Sequence, residues 1–571
     1  MRIKVVRIIF YGLLGMIACG LFYTQVIRGQ YYYNLSVNNR IRLVPVEGRR
    51  GRILDRNGVV LAENRMAFTV SIVPQDLKSS ERLFKFLSDT LKIKKTKLLE
   101  RYQQRKITPF APVAVAEGVD KTAAMVLEES RFQFPGLIIE PALQRHYPFQ
   151  TTGAHILGYV GKIDLEKAEK LKEYGYTYLS IIGKTGVEEY YDSYLKGNTG
   201  GVQIEVNSRG QQVRLLSVKQ PANGQDLQLT IDQRVQQIAS DVLADRAGAV
   251  VIMNLDSGEL LGMVSSPSFD PNVFVESSAG LSPGSYFTNR AAPLLNRAIA
   301  GQYPPGSVFK TIVTIAGLAS EKISPQTTFN CNGVFVLGRA RFHCLHVHGP
   351  QNLMQAITHS CNVYFYNVGD RVGAELLDKY SRMFGLGGLT EVDLPGESKG
   401  NVPSPLQRKT KQKRGWFRGD TINYSIGQGD LLTTPLQIAR MMATIARHGR
   451  EVQPYLIKSI GDQEIVKFST VRNVNIDPKI YAILQAGFRA VVGDSTGTAR
   501  TLEIEGLDAA GKTGTAQTTK GKDTHAWFAG YTTRGKTRLA FCVFLEYGGS
   551  SYHAVVATRE ILLRMQAEDI I

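Results

Sequence analysis

Residues 509–517 read AAGKTGTAQ, and the tetrapeptide GKTG also stands at 183–186, inside SIIGKTGVEEYYDSYLKG (180–197). The two copies have opposite neighbours, and deciding which one faces a ligand decides the fold. The later copy lies among small residues and is followed by AWFAGY (526–531) and RLAFCVFLEY (538–547), two apolar runs suited to strands. This pattern predicts an antiparallel hairpin or sheet edge, with small residues that let a ligand approach the backbone closely. Lys512, Thr513 and Thr515 around Gly514 then offer an ammonium and two hydroxyls to a carboxylate. In the earlier copy, Thr185 and Glu188 have capping-box spacing. Behind them Val187, Tyr190, Tyr191, Tyr194 and Leu195 recur as one helical stripe. That copy is expected to start a helix, with Lys184 a solvated loop charge.

A Lys-Thr-Gly strand alone says little, so its companions matter. GQYPPGSVFK (301–310) places Ser307 three residues before Lys310, after a Pro-Pro-Gly entry and ahead of the apolar run TIVTIAGLAS. Residues three apart share a helix face, which puts the Lys310 amine within reach of the Ser307 hydroxyl. A serine needs such a base to act as a nucleophile, and burial lowers a lysine toward that task. The helix start also aims backbone N–H groups at a developing oxyanion. THSCNVYFYNVG (358–369) adds Ser360, a candidate proton relay, and Asn362, a candidate holder of a substrate amide. Ser-x-x-Lys, Ser-x-Asn and Lys-Thr-Gly in this order form the set used by penicillin-recognising serine enzymes.

The N-terminus sets the compartment. MRIKVVR (1–7) is basic, and residues 8–27, IIFYGLLGMIACGLFYTQVI, carry no charge over a length that spans a hydrocarbon core. Arg2, Lys4 and Arg7 place residues 1–7 in the cytoplasm and the rest of the chain outside. A cleaved leader would need a small-x-small site after the apolar run, and none follows; Cys19 resembles a lipoprotein site only faintly. The formal charge of +18 suits an anionic envelope polymer or membrane surface. Nucleic acid is not expected, since no zinc-finger, RRM or helix-turn-helix pattern accompanies the charge.

Along the chain, RILDRNGVVLA (52–62) reads as a hairpin turning at Asn57-Gly58, followed by charged helical text and a polar, strand-like stretch at 201–224. From residue 225 the pattern becomes helix, strand, tight turn at Asp256-Ser257-Gly258, strand. The expected division is therefore an anchor at 8–27, a pedestal at 28–224 and a catalytic domain at 225–571. The basic segment QRKTKQKRGWFRGD (407–420) reads as a solvated loop.

These motifs resemble the class B penicillin-binding proteins over nearly the whole length. The resemblance rests on RRGRILDRNGVVLA, GKTGVEEYYDSYLKGNTG, GSVFK, SCN, SIGQGDLLTTPLQIA and GKTGTAQ, and within the class the text is most similar to the elongation-type enzymes. It implies an α+β penicilloyl serine transferase domain, an antiparallel sheet flanked by helices, on a dimerisation-like pedestal with one transmembrane helix. It implies D,D-transpeptidation of peptidoglycan stem peptides through Ser307, Lys310, Ser360, Asn362 and Lys512. Ser307 and Thr515 N–H groups would form the oxyanion hole, and Thr513, Gly514 and Thr515 would hold the substrate carboxylate. β-Lactams would acylate Ser307, and a RodA-like SEDS glycosyltransferase of the elongation complex would be the partner. Alternatives with related motifs are a division-specific transpeptidase, a serine β-lactamase and a β-lactam-sensing receptor; a non-catalytic scaffold is the fourth. A β-lactamase needs no anchor or pedestal, and a scaffold would tolerate the loss of a motif that this chain keeps.

No cofactor is expected for catalysis. Of the cysteines, Cys542 lies in an apolar run and reads as core. NCNGVFVLGRARFHCLHVHGP (330–350) also brings His343 and His346 near Cys344. Cys331, Cys344, His348 and Cys361 can complete a closed Cys₃His zinc site, structural because it leaves no open position. A Cys331–Cys344 disulfide is the alternative in an oxidising compartment. Some elongation-type members carry a metal near the active site.

Overall fold

The structure is a computed structural model that describes residues 2–33, 41–46, 48–77, 80–106, 108–109, 111–171, 173, 176, 180–206, 212–244, 246–275, 283–411, 413–465, 471–519, 521–534 and 538–571. Parts of NNRIRLVPVEG (38–48) and of the 201–224 stretch therefore fall outside the described residues. Helix α1 (Arg2–Phe22) continues through one wider turn to Ile27. Its apolar run, Ile3–Ile27, is long enough to cross a membrane, and none of it is covered by protein.

Strand β1 (Ile41–Val46) precedes the expected hairpin, β2 (Ile53–Leu54) with β3 (Val60–Ile72). Asp55 closes the turn by accepting from the N–H groups of Asn57 (2.7 Å) and Val59 (2.8 Å), while Gly58 takes φ +85°. Strand β3 pairs antiparallel with β4 (Val113–Val119) and β5 (Leu137–His146), whose sheet packs a small apolar core of its own with the helices Ser80–Leu91 and Lys95–Arg105. Strands β6 (Gly200–Val206) and β7 (Gln212–Lys219) complete a three-stranded sheet with β1.

Residue 225 falls beside a shared sheet. Strand β8 (Leu227–Leu229) runs parallel to β2 and antiparallel to Ile457–Ile460, so backbone hydrogen bonds cross that point. The Asp55 turn is also tied to the next helix: Asp55 accepts from Gln233 N–H, and Asn57 donates to Asp232, the N-cap of α2 (Gln233–Leu243).

The second half is built on five antiparallel strands. These are β9 (Gly248–Asn254), β10 (Leu260–Ser266), β11 (Ala509–Ala516), β12 (His525–Thr532) and β13 (Leu539–Leu545), in the order β10-β9-β13-β12-β11. Helices α3 (Lys310–Ala319), α4 (Pro435–Ala446) and α5 (Ser551–Ala567) join α2 around it. Both sheet faces are covered, which is why β12 and β13 are buried at every residue and read as unbroken apolar runs. Cys542 is in this core. The later GKTG lies on β11, the sheet edge, as its small residues predict.

The earlier GKTG does begin a helix, Gly186–Tyr190, but not through the expected cap. Thr185 makes no side-chain capping bond. Glu188 turns inward instead, accepting from Arg50 Nε (2.7 Å), Arg145 Nε (2.6 Å) and Tyr147 Oη (3.3 Å). Burial raises its pKa, but Arg145 and Arg50 outweigh that and hold the carboxyl below its usual value. Two guanidinium partners in a dry site give a carboxylate more than an exposed N-cap can. The stripe is also broken: the helix stops at Tyr190 and a second turn, Asp192–Leu195, follows. Val187, Tyr191 and Leu195 are buried, whereas Tyr190 and Tyr194 are exposed. Lys184 pairs with Asp164 at 2.8 Å rather than standing free.

The basic segment is likewise more ordered than expected. Pro405–Lys411 is helical, Arg408 bonds Asp430 at 2.8 Å and lies over Trp416, and Arg418 pairs with Asp370.

Candidate active site

Ser307 sits in a 3₁₀ turn, Gly306–Phe309, that runs straight into α3. Three neighbours hold this turn. Trp527 Nε1 donates to Pro304 O (3.1 Å), Gly306 N donates to Gly427 O (3.0 Å), and Phe309 stacks on Tyr424 with centroids 5.0 Å apart. A side chain at Gly427 would start 2.1 Å from Gly306 O, so the SIGQG loop can lie there only with glycine at this position. Ser307 itself is half-buried, and among the described residues its hydroxyl has no hydrogen-bond partner.

Lys310 is enclosed behind it. Its Nζ donates to Asn362 Oδ1 (2.6 Å), Ser360 O (2.7 Å) and Ser360 Oγ (3.2 Å). The i, i+3 spacing suggests a direct bond to Ser307; here the ammonium is held by the three oxygens of the SCN turn instead. Burial pushes its pKa down to about 8. Asn362 is engaged at both ends, since its Nδ2 also donates to His343 O at 3.2 Å. It holds Lys310, and one Nδ2 N–H and one Oδ1 lone pair remain for a substrate amide.

The SCN turn joins two helices. Leu353–Thr358 starts with an Asn352/Gln355 capping box, and Cys361 caps Asn362–Val372 by accepting from Tyr364 N–H (3.5 Å). Between them Ser360 takes φ +55°, left-handed geometry that costs a serine roughly 1 kcal/mol or more.

Strand β11 forms the opposite wall. Lys512 is buried, with Nζ on Thr513 O (3.2 Å) and Thr513 Oγ1 (3.4 Å). Burial pushes its pKa well down, and the Lys310 charge adds to that. A side chain on Gly514 would meet Pro305 O and Val308 Cγ2 at 2.9 Å, so this glycine brings the strand directly onto the nucleophile turn. Thr515 lies beside Gly306 and is half-buried. The motifs at 307–310, 360–362 and 512–515 thus meet at one edge of the sheet.

Cys331, Cys344, His348 and Cys361 also come together. Their ligand atoms all lie within 4.8 Å of one another, and the four cysteines outside α1 are free, with no Cys331–Cys344 disulfide. His348 Nδ1 is 3.5 Å from Cys331 Sγ and 3.6 Å from Cys344 Sγ. Cys344 Sγ also accepts from Asn362 N–H at 3.2 Å. A hydrogen bond from Cys361 is the largest cause holding the Cys344 thiol well below its usual range. His343 and His346 stand outside the set.

Sequence reading missed the loop at 494–498. Thr498 Oγ1 lies 2.9 Å from Thr513 Oγ1, and Thr496 Oγ1 lies 2.9 Å from His359 Nε2. DSTGT carries only turn composition, with no motif to announce it.

Residues 248–563 match the family described as the penicillin-binding protein transpeptidase domain, and residues 45–229 match the penicillin-binding protein dimerisation domain. The peptidoglycan D,D-transpeptidase MrdA of Haemophilus influenzae is 32% identical, covering 97% of this chain and 90% of that protein. The solved complex of penicillin-binding protein 2 with MreC from Helicobacter pylori aligns with TM-score 0.81 at 29% identity, covering 93% of this chain and 100% of that one. A peptidoglycan synthase complex, solved to show how polymerization and crosslinking are coordinated, aligns with TM-score 0.73 at 29% identity over 98% and 97% of the two chains. With its motifs assembled on this fold, the chain belongs to the class B penicillin-binding proteins, and within them to the penicillin-binding protein 2 group.

Proposed function

We propose that this chain crosslinks peptidoglycan stem peptides during wall elongation through an acyl-enzyme on Ser307. The observation that carries the reading is the grip of Lys310 on Ser360 and Asn362 beside a Ser307 hydroxyl that has no partner among the described residues, with β11 packed on the same turn. Ser307 Oγ attacks the carbonyl carbon of the penultimate D-alanine, and its proton passes to the neutral Lys310 amine. The tetrahedral oxyanion is received by the N–H groups of Ser307 and Thr515. Collapse breaks the peptide bond, and the leaving D-alanine amine takes its proton from Lys310 by way of the Ser360 hydroxyl. An amine of a second stem then attacks the ester, forms the crosslink and returns the proton to Ser307. Lys512, Thr513 and Thr515 receive the terminal carboxylate, whose charge restores the ammonium that burial disfavours. Labelled penicillin followed by peptide mapping tests the reading, with the ester expected on Ser307 alone.

The lowered Lys310 gives a pH signature. Below about 8 the ammonium form predominates and cannot accept the serine proton; above it the free amine does. The second-order constant for penicillin acylation therefore rises with pH and levels off above about 8. A profile flat from pH 6 to 9 would exclude Lys310 as the base, and one still climbing steeply at pH 9, as a lysine of ordinary pKa near 10.4 gives, would show that burial does not lower it.

The Cys₃His cluster fits zinc. Tetrahedral Zn–S bonds of about 2.3 Å place sulfurs about 3.8 Å apart, compatible with the observed cluster. Bound zinc would be structural, fixing Cys361 and so the strained Ser360 next to it. Metal analysis of the gently purified chain should give about one zinc per chain. A chain free of metal with a mapped Cys331–Cys344 disulfide would reverse this assignment.

The anchor helix and the pedestal support placement on the outer face of the cytoplasmic membrane, beside a RodA-like SEDS polymerase that makes the strands to be crosslinked. Because β2 and β8 share a sheet, a cut at residue 225 would break the fold, so the partner test removes residues 1–47 instead. That chain should keep penicillin acylation and lose co-purification with the polymerase. Undiminished co-purification would move the docking surface elsewhere.

A further inference from the structure

We infer that Thr498 is a further substrate-contacting residue, a hydroxyl donor in the carboxylate subsite that no motif marks. The inference rests on the reading of Ser307 as the acylated nucleophile and of Lys512 with Thr513 as the carboxylate's partners. Thr498 Oγ1 is 2.9 Å from Thr513 Oγ1, which in turn accepts from Lys512 Nζ at 3.4 Å. An ammonium and two hydroxyls therefore form one chain at the edge of β11.

Counting protons shows what this chain can do. Each threonine hydroxyl has one proton to donate. The Thr498–Thr513 bond uses one of the two, and Thr513 receives rather than spends a proton in its contact with Lys512. When Thr513 donates to Thr498, the direction that the Lys512 contact favours by polarising Thr513, the proton left over belongs to Thr498. Thr498 is exposed whereas Thr513 is buried, so of the two residues Thr498 is the one open to an arriving ligand. A carboxylate arriving at Lys512 brings the acceptor oxygens that this spare donor lacks.

The loop that presents Thr498 is held from several sides. Asp494 Oδ1 accepts from Thr496 N–H (2.8 Å) and Thr496 Oγ1 (2.7 Å), and Gly497 N–H donates to Asp494 O (2.9 Å). Ala499, the next residue, is buried and donates to Val491 O at 2.9 Å. On the far side, Thr496 Oγ1 meets His359 Nε2 at 2.9 Å, while His359 Nδ1 donates to Gln351 Oε1 at 2.7 Å. His359 immediately precedes Ser360, so one short loop bridges the SCN wall and the KTG wall. A donor fixed in this way is oriented before the ligand arrives and needs little reorganisation when it binds.

The test uses the full chain and two probes, benzylpenicillin and its methyl ester, which differ only in the charge on the carboxyl. Thr498→Val keeps the shape and deletes the hydroxyl. With benzylpenicillin the acylation constant should fall about tenfold, chiefly through weaker initial binding and not a slower acylation step, the size expected for one hydrogen bond to a charged group. With the methyl ester the variant and the parent should differ by less than about twofold, since the charge-assisted part of that bond is gone. Thr498→Ser should restore the parent behaviour with both probes. A valine variant that reacts with benzylpenicillin as the parent does would overturn the inference, as would an equal loss with both probes, which marks a loop distorted as a whole. A parent chain that is not labelled at Ser307 overturns the functional reading together with this inference, whereas a labelled parent with an indifferent Thr498→Val overturns the inference alone.

Discussion

Ser307→Ala is expected to abolish covalent labelling by penicillin and to leave the thermal unfolding of the chain where it was. The chemical loss is large because nothing replaces the nucleophile: removing such a serine costs on the order of 10⁴-fold or more. The stability should hardly change, for a reason visible in the structure. The Ser307 hydroxyl has no hydrogen-bond partner among the described residues, so deleting it leaves no buried donor or acceptor orphaned. Gly427, Trp527 and Tyr424 hold the turn through backbone and ring contacts that alanine keeps. Labelling that persists in this variant would remove Ser307 from its role, and lost labelling with a collapsed unfolding transition would show that the turn depends on the hydroxyl.

The twin motifs give the second large effect. Lys512→Met, which keeps the length of the side chain, should lower penicillin acylation by about a hundredfold or more, because it deletes the cation that β11 offers the carboxylate. It should not destabilise the fold severely, since burial already disfavours the Lys512 charge and methionine fills the same space. Lys184→Met should leave acylation within about twofold of the parent. Among the described residues Lys184 pairs with Asp164, an exposed carboxylate in the pedestal, and such exposed pairs contribute little. Comparable losses from the two variants would mean that the first GKTG serves the reaction.

What could be read in advance depended on where each signal is stored. The GKTG on β11 was legible because strand character, small residues and the apolar runs behind it are local properties of 509–545. The hairpin at Asn57-Gly58 was legible for the same reason, as a turn is made by its own four or five residues. The capping box at Thr185 failed because Glu188 is matched to arginines 138 and 43 residues away, and no local pattern carries that pairing. The basic segment at 407–420 looked solvated because Asp370 and Asp430, which pair with its arginines, lie outside it.

The sequence by itself therefore determined the kinds of element, the membrane-length anchor, the three motifs in their order and the four candidate zinc ligands. Those follow from periodicity, charge and residue chemistry, which act over a few positions along the chain. Only the tertiary structure decided that Lys310 is held by the SCN turn rather than by Ser307, that Asn362 bonds Lys310 and His343 O, and that Thr498 stands against Thr513. Each of these is a contact between segments 15 to 52 residues apart, or a choice among competing acceptors in a dry site. Such choices are settled by which oxygen lies nearest once water has been excluded, and that distance exists only after the sheet and its helices have packed.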